Sequence, residues 1–295
     1  MFRIGIIFLI TLAVVMAAAT TASGRTWCIL PDGSGDAPTI QDGINAAVAG
    51  DSVLLAAGTY TGVGNRDIDF LGKAITVTSE SGRDVTIIDC EGLGRGFIFQ
   101  SGEGLSSALL GVTIRNGTAQ YSDRPFGGGI FCAYQSSPTI SGNTVSGNYA
   151  DLGGGICCYV ESSPTISGST ISGNSSSSGG GVFIALWSSP TINNTIIAFS
   201  STGEGLYCVD SSWPALTNCD IYGNVGGDAL CGTDGGGNIS ADPLFCDPNN
   251  GNFYLNCTSP CVNNPGYGQI GAFGVGCGPT AVQNTTWGRI KSMFR

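Results

Sequence analysis

The side chains in this sequence best suited to gripping a ligand are aromatic. Phe131, Phe183 and Tyr207 recur in one column at intervals close to 26 residues, with Cys157 in the place between the two phenylalanines. Tyr134, Tyr159, Trp187 and Trp213 fall nearby, so Phe131, Tyr159, Phe183, Trp187, Tyr207 and Trp213 are the candidate binding residues. Sugar rings present apolar faces that stack on such side chains, and neighbouring Ser and Asn can bond the hydroxyls. An exposed strip of this kind marks an interaction surface, for a glycan or a protein. The competing expectation is a strip covered by a loop or by the C-terminal segment.

Catalytic chemistry finds less support. Glycoside hydrolysis needs two carboxylates facing each other across a few ångströms. In the repeated part of the chain Asp151 aligns with Ser177 and Glu161 with Trp187, while Asp210 and Asp220 have no acidic counterpart one repeat earlier. Between residues 105 and 227 only Arg115 and Arg124 are basic. The remaining place for an active site is the less regular N-terminal part, where Arg66, Asp67, Asp69, Arg83 and Asp84 stand, residues that also read as solvated loop charges. With no histidine and no Cys-x-x-Cys pair, neither a metal site nor a cofactor is expected. The run Asp247-Pro248-Asn249-Asn250-Gly251-Asn252 is rich in oxygen ligands but lacks the spacing of a calcium loop and reads as a turn.

What must position these residues is a repeat. Segments beginning at Gly127, Gly153, Gly179 and Gly203 align, with prolines at Pro138, Pro164, Pro190 and Pro214. Spacings of 26, 26 and 24 residues hold three short strands and three corners, and the Gly, Pro and Asn content excludes a helical hairpin. Alternation places four columns inward: Ile130, Ile156, Val182, Leu206; Cys132, Cys158, Ile184, Cys208; Ile140, Ile166, Ile192, Leu216; and Val145, Ile171, Ile197, Ile221. Asn148, Asn174, Ser200 and Asn224 form a polar column at one corner. The expected fold is all-β, a right-handed single-stranded parallel β-helix, or solenoid. Residues 25–50 form an N-terminal cap, in which Ile40, Ile44, Ala47 and Val48 have the spacing of a short helix. Residues 51–240 form the coils, 241–279 a closing segment, and 280–295 a basic and aromatic tail with Trp287, Ile290 and Phe294.

Forty-eight glycines, 11% charged residues and a formal net charge of −10 fit many tight corners and argue against a nucleic-acid partner. Met1-Phe2-Arg3, an apolar run to Ala19 and small residues to Gly24 read as a signal peptide over residues 1–24. A retained anchor is the alternative. No other segment is long and apolar enough to span a bilayer, and a monomer is expected. The 12 cysteines suit an oxidising compartment. Two or more disulfides are expected among the six from Cys219 to Cys277, with Cys261–Cys277 and Cys246–Cys257 as plausible local loops and the stacked Cys132 and Cys158 as free core thiols.

Residues 32–60, DGSGDAPTIQDGINAAVAGDSVLLAAGTY, resemble the N-terminal cap and first strand of the pectin-lyase-like superfamily. The GGGI and SGN elements are similar to repeats of chlamydial polymorphic outer-membrane proteins, with Val145 and Ile171 in place of a Phe. Residues 241–264 resemble the closing segment of bacterial choice-of-anchor proteins. The resemblance implies the fold and an exported protein, outside or on the outer surface of a bacterial cell. It leaves three functions open: a non-catalytic, adhesin-like binder of polysaccharide or another cell-surface component, a polysaccharide lyase, hydrolase or esterase, or a structural envelope protein.

Overall fold

The computed structural model describes residues 24–120 and 125–278. The expected signal peptide, save Gly24, and the expected tail over 280–295 lie outside these residues. Three parallel sheets run the length of the coils. The first has nine strands, from Thr26–Ile29 to Thr233–Asp234; the second seven, from Gly58–Tyr60 to Asp220–Tyr222; the third six, from Ile68–Asp69 to Leu206–Cys208. One coil shows the path. Strand Thr139–Ser141 joins the first sheet, a bend at Gly142 and Asn143 leads into Thr144–Ser146 in the second, and a longer loop reaches Ile156–Tyr159 in the third.

All four inward columns stack in register, Ile130 on Ile156 on Val182 on Leu206 and likewise for the others. Like side chains therefore meet at about 4.8 Å, and each coil buries its apolar residues against its neighbours. The corner column is a hydrogen-bonded ladder: Asn174 Oδ1 accepts from the Asn148 amide at 3.0 Å, and Asn224 Oδ1 from that of Ser200 at 2.9 Å. A serine ladder does the same at another corner, each amide of Ser136, Ser162 and Ser188 donating to the hydroxyl one coil on. These side chains satisfy backbone groups that bends leave unpaired.

The capping helix spans Ile40–Ala46, with Thr39 as its N-cap. Ile40, Ile44 and Ala47 are buried against the first coil, whereas Val48 is exposed. Strands Gly58–Tyr60 and Ile68–Asp69 were not anticipated, being too short to show a pattern. Strands Ala108–Leu110 and Thr113–Arg115 are bent apart at Gly111.

Disulfides join Cys208 to Cys231 and Cys246 to Cys277, so neither expected local loop forms, and one bridge rather than two lies wholly among the six cysteines from Cys219 to Cys277. Cys257 and Cys261 are free. The correction has a topological cause: strand Asn252–Asn256 pairs with both Phe245–Asp247 and Val275–Cys277, which brings Cys246 and Cys277 together across a sheet rather than along the chain. Cys132 and Cys158 are free and fully buried, and burial holds both thiols well above their ordinary pKa.

Candidate functional site

The aromatic column lies on the outer face of the third sheet, but most of it is roofed. Phe131 is 2% exposed, Phe183 5%, and Cys157 is fully buried. The cover is the chain just ahead of each strand. Gly127, Gly153 and Gly179 adopt φ of 65°, 67° and 61°, and a Cβ at any of them would lie within 3 Å of the strand beneath. Phe126 and Leu152 sit in the same roof, Phe126 contacting the rings of Phe131 and Tyr159, and Arg95 lies over Phe131 at 5.3 Å. The strip is thus a second, outer core at Phe131 and Phe183, with Tyr159 and Tyr207 half-buried at its margin. The sequence marked these glycines as corners. Their close approach to the following strand depends on backbone direction, which column patterns do not carry.

Trp187 and Trp213 behave differently, at 63% and 67% exposed. They stand on neighbouring coils at the corner between the third and first sheets. This corner places two successive non-glycine residues in the left-handed region in each of the four aligned coils: Tyr134 and Gln135, Val160 and Glu161, Leu186 and Trp187, Asp210 and Ser211. That conformation is disfavoured for side chains with a Cβ, and the stacked hydrogen bonds hold it. The Trp187 amide donates to the Asp210 carbonyl at 3.1 Å, and that of Trp213 to Ser189 Oγ at 3.1 Å. These bonds hold the backbone of both residues, and the hydroxyls of Ser137, Ser163 and Ser189 at this corner each accept from the amide one coil on.

A second site has no counterpart in the aromatic pattern. Residues 240–278 fold back along the outer face of the second sheet, Leu255, Cys261 and Ile270 packing on Ile196 and Ala198. The Ala272 amide donates to Thr170 Oγ1 at 3.1 Å, Arg83 donates to the carbonyls of Gly142 and Ala272, and the Tyr254 hydroxyl donates to Asp84. Between this segment and the sheet lie two joined hollows. One, of about 720 Å³, is lined by Arg115, Asn116, Ser146, Ser172 and Phe199 below and Asn250 and Phe253 above. The other, of about 290 Å³, shares Arg115, Ser146 and Phe253 and continues to Arg83, Asp84 and Tyr254. A third, of about 500 Å³, adjoins at Asn116 and Gly147 and ends at Glu91 and Tyr149.

Electrostatically the groove is mixed. Arg115 Nε donates to Asp89 Oδ2 at 3.0 Å, and Asp89 Oδ1 accepts from Asn116 and from the Glu91 amide. Burial pushes the Asp89 carboxyl up, but these bonds together outweigh it and hold it below its ordinary range. Burial lowers Arg83, and the hydrogen bond from the Tyr254 hydroxyl to Asp84 raises Tyr254. Of the five N-terminal charges considered above, Arg83 and Asp84 line the groove; Arg66 and Asp67 line a separate hollow beside the helix cap, where Arg66 pairs with Glu91 at 2.7 Å. Asp69 is held apart by Gln100. Sequence reasoning noted Arg115 only as a rare cation. Its outward register in an uncharged stretch was the available signal for the groove. At the turn 247–252, Asn250 bonds Asp247, and among the described residues no three His, Cys, Asp or Glu side chains gather as a metal site.

A family model described as the right handed beta helix region matches residues 73–242, more than half of the chain. The protein belongs to this right-handed β-helix family. A solved structure, the crystal structure of pectate lyase Pel9A, is similar over 86% of this chain and 97% of that one, at 14% identity and a TM-score of 0.46. No curated protein matches the sequence.

Proposed function

We propose that this protein is an exported β-helix that binds a polysaccharide or another cell-surface component without turning it over. The observation that carries the reading is the pair of exposed indoles, Trp187 and Trp213, carried on adjacent coils. Large exposed aromatics on a rigid scaffold lose little entropy on binding and stack on sugar faces. Two disulfides suit an oxidising compartment outside the cytoplasm. Among the described residues no helix is long and apolar enough to cross a membrane.

The competing reading, a polysaccharide lyase, hydrolase or esterase, draws on the Tyr254 and Asp84 pair beside Arg83. One experiment separates the two. The mature protein is incubated with neutral and acidic polysaccharides while retention, reducing ends, unsaturated products and ester release are followed together. Retention without product is expected, weakened about tenfold or more, or about 1.4 kcal/mol, in a folded Trp187→Ala/Trp213→Ala variant. Product that survives repurification and disappears in Tyr254→Phe would replace this reading with the enzymatic one. Neither retention nor product would leave the structural envelope role.

A further inference from the structure

Arg115 differs from Arg83, the other guanidinium group lining the groove. Arg83 donates from Nε and Nη1 to two backbone carbonyls. Arg115 uses Nε alone, oriented by an Asp89 that Asn116 and Glu91 hold in place; its two terminal nitrogens have no hydrogen-bond partner among the described residues. The side chain is 42% exposed and lines both hollows at their junction. Around it stand the Ser146 hydroxyl, also without a partner among the described residues, and the Asn116 and Asn250 amides. A planar fork with free donors beside hydroxyl and amide groups fits an oxyanion carried on a polyhydroxylated chain. The central volume of about 720 Å³ lies in the range of sites for small organic ligands.

The ends of the groove restrict what else can sit there. Asp84 lines one end and Glu91 the other, and each keeps one carboxylate oxygen without a partner among the described residues. Such oxygens accept from sugar hydroxyls. We infer that the groove between the second sheet and the closing segment is a binding site for a saccharide chain bearing an isolated acidic group, carboxylate or sulfate ester, seated on Arg115 and flanked by neutral sugars. The inference rests on the glycan-binding reading and adds to it a second site and a ligand class. A densely charged polyanion is disfavoured by a net charge of −10.

The test uses the mature protein with four probes: a glucuronoxylan with scattered acid branches, the same polymer after reduction of its carboxyl groups, a sparsely sulfated galactan, and polygalacturonate. Binding is measured by affinity electrophoresis and calorimetry. The native glucuronoxylan is expected to bind at least tenfold tighter than its reduced form and tighter than polygalacturonate. Arg115→Gln removes that preference, and Arg115→Lys restores part of it. The sulfated galactan, compared with its desulfated form, shows whether the site takes sulfate as well. Hydrogen exchange on the wild type supplies a readout without a variant: the bound glucuronoxylan protects amides of residues 248–253. Equal binding of native and reduced polymer, an acid preference that survives Arg115→Gln, tighter binding of polygalacturonate, or no protection at 248–253 overturns the inference. If binding is lost only in the tryptophan variant and shows no acid preference, the general function stands and the groove falls. If no probe binds, both fall.

Discussion

Two outer faces of this β-helix are covered, and they are covered in different ways. Over the third sheet the roof is local: Phe126, Leu152 and the glycines just before each strand close on Phe131, Cys157 and Phe183. Over the second sheet the cover is remote, since residues 240–278 return from the end of the chain to lie across earlier coils. The local roof repeats with the coil and seals. The remote cover meets a face it does not share a repeat with, touches it at separate points, and leaves hollows between. Periodic covering produces core, and aperiodic covering produces a site.

The most sensitive way to break this contrast is to hollow out the sealed face. Phe183→Ala should cost about 3–5 kcal/mol in denaturant unfolding, as for a fully packed aromatic. Trp213→Ala, only a corner away, should change stability by no more than about 0.5 kcal/mol. A mild Phe183→Ala would mean that the roof does not seal.

The remote cover should respond to pH. Asp220 is fully buried where the closing segment docks, accepting from the Ala241 amide and the Cys261 thiol, and burial raises its pKa from 3.8 to about 6. Between those values the folded state binds more protons than the unfolded one, so this contribution to stability is greatest below about pH 4. It falls as pH rises to 6, by at most about 3 kcal/mol. Hydrogen exchange in residues 241–278 should therefore be slower at pH 4.5 than at pH 7.5 after correction for intrinsic rates, and Asp220→Asn should flatten the difference. An unchanged profile in the variant would assign the pH response elsewhere.

The smallest effect sharpens the same point. Thr144 Oγ1, on the outer face of the second sheet, is the one buried side-chain N or O atom without a hydrogen-bond partner among the described residues. Thr144→Val should be neutral or stabilising by up to about 1 kcal/mol in thermal unfolding, because it removes an unmet polar group while keeping shape. A clear loss of stability would show that the hydroxyl does have a partner.

The same division explains what could be read from the sequence. The inward columns, the asparagine corner and the capping helix were legible because each is set by spacing within a coil or a single turn. The burial of Phe131 was not, because outward residues show the same alternation whether solvent or a doubled-back loop lies above them. Nor was the placing of Arg115 and Phe253 on one groove, or the bond of Tyr254 to Asp84. Those pairings join residues more than a hundred positions apart and outside any repeat. The disulfide partners were hidden for a similar reason, Cys246 and Cys277 being neighbours only through the strand between them.

Repeat proteins commonly change by gaining or losing whole repeats, and here one feature limits that freedom. The closing segment is fastened at Asp220, at Asn194 and Thr170, and again at Arg83 and Asp84. It therefore acts as a ruler laid along the coils between. A duplicated coil anywhere in that interval would move one end of the ruler by about 4.8 Å and pull its fastenings out of register. Copy number is free to drift only in the coils ahead of residue 83.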